Sequence, residues 1–218
     1  MAGSRITRKL KTVLDGLDEA YPEAGCELSY KDPLQLLVAT MLSAQCTDVR
    51  VNKVTPRLFR KYRTAQNYAD ADPQELQDLI RSTGFFRNKQ KNIQAAAAML
   101  VLEFAGKIPR TMEELLRLPG VARKTANVVL GAAYGIAEGV VVDTHVRRVA
   151  QRLGLTENDS PEKIEHDLMR QIPRERWISF SHQLIWHGRR VCRARKPLCP
   201  HCNLTPVCEY FLRVGDGA

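Results

Sequence analysis

Apolar residues recur at three- and four-residue intervals along almost the whole chain, and no stretch alternates apolar with polar as a half-buried strand does. The chain therefore reads as all-α. Its punctuation agrees. Asp32-Pro33 and Asp72-Pro73 each set an N-cap carboxylate before a proline at the first helical position. The first pair precedes Leu34, Leu37, Val38, Met41 and Leu42, and the second precedes Leu76, Leu79 and Ile80, with Gly84 as the stop. Ile93, Ala97, Leu100, Val101 and Phe104 form a stripe closed by Gly106, and Thr111 with Glu114 forms a capping box. Val128, Val129, Ala132 and Ala133 run to Gly135, and Val146, Val149, Ala150 and Leu153 give a further helix. Ser160-Pro161 opens one through Ile164 and Leu168, and Trp177 to Trp186 lie in a last long one. No linker rich in glycine, serine or proline marks a domain boundary.

Charge narrows the partners. Thirty-three Lys and Arg stand against 24 Asp and Glu, a net +9. Such a balance points to a polyanion, with nucleic acid first. No apolar run is long enough to span a bilayer and no basic amphipathic tail stands apart, so no membrane partner is expected. The opening MAGSRITRKLKTVLDGL is too polar for a secretory leader, which predicts an intracellular protein whose cysteines stay reduced.

Four of the six cysteines fall in one run, Cys192-x6-Cys199-x2-Cys202-x5-Cys208, while Cys26 and Cys46 stand alone and read as core residues. Four thiolates so close together read as metal ligands. A tetrahedral zinc site and an iron-sulfur cluster both remain open, although only one C-x2-C is present where a zinc ribbon has two. Between the first two ligands, Arg193, Arg195 and Lys196 make a basic loop that a metal site would hold rigid. Such a loop either meets phosphates or is simply solvated.

In LPGVARKTAN, Gly120 ends one helix and the next begins around Ala122, giving a very short hairpin. Backbone N-H groups at such a helix start can cradle a phosphate oxygen, although plain helical hairpins are common. Lys124 lies in the first turn, beside the positive end of the helix dipole and next to Arg123. Both neighbours favour a neutral, nucleophilic amine, while snorkelling to water is the plainer role. Asp143 follows three valines and precedes a helical pattern. It can serve as an N-cap, as a carboxylate that supports positive charge, or as both.

Taken together and in order, LSAQCTDVRVNK, LPGVARKTANVVLG, VVDTHVRR and the cysteine run resemble bacterial endonuclease III, a family of helix-hairpin-helix DNA glycosylases. The resemblance implies two lobes. Residues 27–137 would form a six-helix barrel carrying the hairpin. The N-terminal helix, within 1–26, would join residues 138–218 in a lobe holding a [4Fe-4S] cluster on Cys192, Cys199, Cys202 and Cys208. Lys124 and Asp143 would face each other across a cleft.

The implied activity is removal of a damaged pyrimidine flipped out of double-stranded DNA. Lys124 would attack C1′ and expel the base, and elimination of the 3′ phosphate would follow from the resulting Schiff base. Gln45 would fill the vacated stack and Phe85 would wedge the opposite strand, at a position that is aliphatic in the family. Gly120, Ala122 and Arg123 would meet the DNA backbone, as would Arg193, Arg195 and Lys196. Ala122 replaces the second glycine of the family's hairpin, and Leu116 stands where some relatives carry a carboxylate. The implied setting is a monomer in the bacterial cytoplasm, associated with the nucleoid.

Overall fold

The computed structural model describes residues 7–215. Residues 1–6, which begin the segment read as too polar for a leader, and residues 216–218 lie outside the described residues. Those described contain α-helices and short 3-10 turns and no strand. The chain divides into two compact units, a continuous one, Cys26–Glu138, and a discontinuous one made of Met1–Gly25 and Gly139–Ala218.

Helix α1 (Arg8–Ala20) opens the discontinuous unit. The continuous unit then runs through α2 (Pro33–Ser43), α3 (Asp48–Lys61), α4 (Ala65–Ala69), α5 (Pro73–Ile80), α6 (Phe86–Phe104), α7 (Met112–Arg117) and α8 (Arg123–Tyr134). Helices α9 (Thr144–Leu153), α10 (Pro161–Gln171), α11 (Trp177–Arg190) and α12 (Glu209–Val214) complete the discontinuous unit.

In the continuous unit α2 is the central rod. Seven successive residues, Leu36 to Leu42, are buried, so it has no solvent face, and α3, α6 and α8 pack around it. Its start is set locally, because the Asp32 side chain accepts from Gln35 N at 2.9 Å ahead of Pro33. Asp72 does the same for α5, accepting from Glu75 N at 2.7 Å. Two terminal readings change in detail. Thr111 Oγ1 accepts from Glu114 N, but the Glu114 carboxylate takes the Thr111 hydroxyl at 2.7 Å, so that hydroxyl is bonded in both directions. Helix α6 is turned off by two left-handed residues, Ala105 at φ 50° and then Gly106 at φ 76°, with Gly106 N donating to Leu100 O at 2.8 Å.

In the discontinuous unit α1 turns Leu10, Val13, Leu14 and Leu17 inward and packs on α11. Helix α9 packs on α11 as well, through Val146, Val149, Ala150 and Leu153, and Phe180 and Leu184 lie at the centre of this second core. The valines before Asp143 are buried as their sequence suggested, and Val141 N donates to Ser181 Oγ at 3.0 Å. Cys26 and Cys46 depart from expectation. Both are half-buried at the margin of the first core rather than inside it, because each lies in a loop leading into a helix.

Candidate functional site

The hairpin between α7 and α8 is anchored by two apolar residues. Leu118 and Val121 are buried, and Val121 N donates to Leu118 O at 3.1 Å, which closes the turn around Pro119 and Gly120. Gly120 has φ 76°, and a Cβ placed on it would lie 2.7 Å from Asn92 Cβ of α6. Both backbone and space therefore require glycine. Ala122 is the N-cap of α8 at φ −92° and ψ 168°, ordinary extended backbone where a methyl group costs nothing. Its side chain offers no cap bond, so the N-H groups of the first turn are not taken up by the N-cap residue. Lys124, the second residue of α8, is exposed, as are Ala122 and Arg123. Behind them Ala126, Val129 and Leu130 are fully buried and tie α8 to α2, so the lysine stands on a fixed base.

Two further loops of the same unit present the other expected residues. Gln45, between α2 and α3, is exposed and left-handed at φ 52°. Phe85, the N-cap of α6, is left-handed at φ 47° and 64% exposed, unusual for an aromatic ring with a core available.

Asp143 lies in the other unit as the N-cap of α9. Its Oδ1 accepts from both His145 N and Val146 N, each at 2.8 Å. The second oxygen has no hydrogen-bond partner among the described residues, so one atom of the carboxylate serves the helix and the other is left over. Burial lowers the pKa of the neighbouring His145, against the opposing pull of Asp143.

The cysteines come from three turns. Cys192 follows α11, Cys199 and Cys202 bracket a 3-10 turn, and Cys208 is the N-cap of α12. Burial pushes the Cys202 thiol up to about 11, and Cys192, Cys208 and Cys199 add to the rise through their charges. The Cys199 thiol is raised likewise, by burial first and then by Cys192 and Cys208. Among the described residues no three His, Cys, Asp or Glu side chains are grouped as a single metal ion would need.

Arg148 and Arg152 of α9, which the sequence did not single out as site residues, organise this region. Arg148 Nε donates to Cys192 O at 3.1 Å. Arg152 Nη1 lies 3.3 Å from Cys192 Sγ and donates to Arg193 O at 2.7 Å, and its Nη2 donates to Ala194 O at 3.1 Å. The one available clue was their spacing of four, which puts both on one helix face. The loop they hold leaves the side chains of Arg193, Arg195 and Lys196 exposed.

Comparison with known proteins identifies the family of the chain. The family described as HhH-GPD superfamily base excision DNA repair protein matches residues 38–174. An endonuclease III from Synechocystis sp. is 61% identical over 192 residues, covering 88% of this chain and 88% of that protein. A non-covalent endonuclease III-DNA complex matches with a TM-score of 0.90 at 45% identity, over 96% of this chain and 98% of the other. A trapped endonuclease III-DNA covalent intermediate also gives 0.90 at 45% identity, over 96% and 99%.

Proposed function

The chain belongs to the endonuclease III family, within the HhH-GPD superfamily of base excision DNA repair proteins; it is a DNA glycosylase and AP lyase, and we propose that both steps run through Lys124. The substrate on this reading is an oxidised pyrimidine in duplex DNA. The carrying observation is the placement of an exposed lysine in the first turn of α8, fixed from behind by buried Ala126, Val129 and Leu130.

The Lys124 amine, once it has given up its ammonium proton, attacks C1′ of the flipped nucleotide, and the C1′–N bond breaks with its electron pair leaving on the base. Loss of the amine proton and opening of the sugar ring give an iminium at C1′. That cation acidifies the 2′ hydrogen, so a base removes the proton and the 3′ phosphate departs, nicking the strand. Water then releases the lysine. Asp143 supports the positive charge through the oxygen that does not cap α9, which lets one carboxylate serve both helix and reaction.

Duplex binding on this reading uses the first-turn N-H groups of α8 with Gly120, Ala122 and Arg123, together with Arg193, Arg195 and Lys196. Gln45 and Phe85 enter the stack where the damaged nucleotide has left it, each being exposed on a loop of fixed backbone.

Cys192, Cys199, Cys202 and Cys208 would hold a [4Fe-4S] cluster. The chemistry of the donor set supports this, since all four are free thiols and Cys192, Cys202 and Cys208 border the same core. When bound the cluster supplies a cross-link between three turns and a one-electron couple. The damaged duplex is met by a monomer in the bacterial cytoplasm, at the nucleoid. No helix among the described residues is long and apolar enough to cross a membrane.

Borohydride trapping tests the reading. A duplex carrying thymine glycol or an abasic site should give a covalent adduct with the wild-type protein and none with Lys124→Gln. An adduct that persists in the variant sinks the assignment of Lys124.

A further inference from the structure

Lys89, in the first turn of α6, is 6% exposed, rare for a lysine. Nζ donates to Leu42 O at 2.7 Å and to Thr83 O at 2.8 Å. Leu42 is in the last turn of α2, three residues before Gln45, and Thr83 ends the 3-10 turn two residues before Phe85. One side chain therefore satisfies carbonyls at the ends of two different helical segments, where such groups lack intrahelical partners.

Both loops leave those carbonyls through a non-glycine residue in the left-handed region, Gln45 at φ 52° and Phe85 at φ 47°. Such backbone persists only where the surroundings over-determine it. Around Gln45, Cys46 N donates to Ser43 O at 3.0 Å. Around Phe85, Gly84 N donates to Arg81 O at 3.3 Å, Lys89 N donates to Phe85 O at 3.1 Å, and Thr83 Oγ1 donates to Ile80 O at 2.8 Å. These bonds fix each loop internally. Among the described residues the Lys89 ammonium is the group that bonds to both, and burial lowers its pKa, the expected cost of holding a cation there.

We propose that Lys89 is a positioning residue that locks the Gln45 and Phe85 loops in one mutual register, so that the two side chains enter an opened duplex as a pair. The inference rests on the reading of Gln45 and Phe85 as the residues that occupy the stack. A lysine is suited to the task because its three donors sit on one atom at the end of a long stem and accept carbonyls from different directions.

The test compares two substrates for each protein, an abasic site in a fully paired duplex and the same site in an unpaired bubble between paired arms. Only the first has a stack to enter. Lys89→Met should lower the single-turnover rate on paired DNA by about tenfold to a hundredfold, the effect expected of a misplacement near one ångström. The bubble rate should change by less than about twofold on the same scale. Because the readout is a ratio within one preparation, a lower folded fraction cancels. Should Lys89→Met not fold, Lys89→Gln is measured in the same way. In a background of Gln45→Ala with Phe85→Ala, Lys89→Met should leave the ratio where that background puts it. An unchanged ratio in the single variant, or an equal further loss in the background, overturns the proposal. A background that itself leaves the wild-type ratio unaltered overturns instead the roles given to Gln45 and Phe85, and a wild-type protein inactive on both substrates overturns the lyase reading.

Discussion

Gly120 lies directly against Asn92: a Cβ on the glycine would meet Asn92 Cβ at 2.7 Å and Nδ2 at 2.8 Å. Asn92 belongs to α6, so the hairpin tip is seated on a neighbouring helix and cannot drift. Gly120→Ala meets both this wall and a positive φ. It should cost about 1–3 kcal/mol of stability and weaken duplex binding markedly. Ala122→Gly, at an extended N-cap, should be neutral or slightly stabilising and should keep DNA affinity. Thermal unfolding with fluorescence anisotropy on a lesion duplex separates the two.

The divided carboxylate of Asp143 gives a sharper contrast. Asn is as good an N-cap as Asp, so Asp143→Asn should leave stability within about 0.5 kcal/mol while the single-turnover rate falls by about 10²–10⁴. Asp143→Ala should lose the same activity and, in addition, about 1 kcal/mol of stability. Equal stability losses in both variants would show that the charge, not the cap, is what α9 needs.

For the basic loop, the expected signature is dependence on salt. Arg193→Ala, Arg195→Ala and Lys196→Ala should each weaken binding to any duplex sequence alike and reduce the slope of log K against log salt by about 1. Arg152→Met removes no exposed charge from the loop but frees the Arg193 and Ala194 carbonyls. It should speed protease cleavage within residues 193–196, followed by gel electrophoresis, against a wild type that resists.

His145 gives a pH dependence. Its folded pKa lies below the ordinary 6.5 because burial outweighs Asp143. The unfolded chain therefore takes up a proton that the folded protein refuses. The neutral imidazole's share of stability is complete above about pH 6.5 and is lost as pH falls below it. His145→Gln should flatten the decline in melting temperature between about pH 7.5 and 5.5 relative to wild type. An identical decline in the two proteins would remove His145 from the account.

Helix starts were legible because their code is local. Asp32, Asp72, Ser160 and Asp143 all cap the helices they precede. The hairpin was legible for the same reason, as Pro-Gly marks its own turn. Long-range bonds were not. Lys89 reaches Leu42 across 47 positions, and Arg152 reaches Arg193 across 41, and neither lysine nor arginine announces an acceptor that distant. The left-handed backbone at Gln45 and Phe85 was equally silent, since neither residue type favours it. Ala122 shows the reverse. Its methyl group looked like a departure where glycine is usual, and the dihedral angles make it ordinary.

The discontinuous unit bears on how the chain is made. Residues Cys26–Glu138 are synthesised as one block and can pack while still attached to the ribosome. Helix α1 emerges before them, yet its partner α11 and the turn after Cys202 come more than 150 residues later. Until the second half of the discontinuous unit emerges, Leu10, Val13, Leu14 and Leu17 lack most of the core they pack into, so translation leaves an apolar stripe waiting. Slow elongation through the second half of the message would lengthen that exposure.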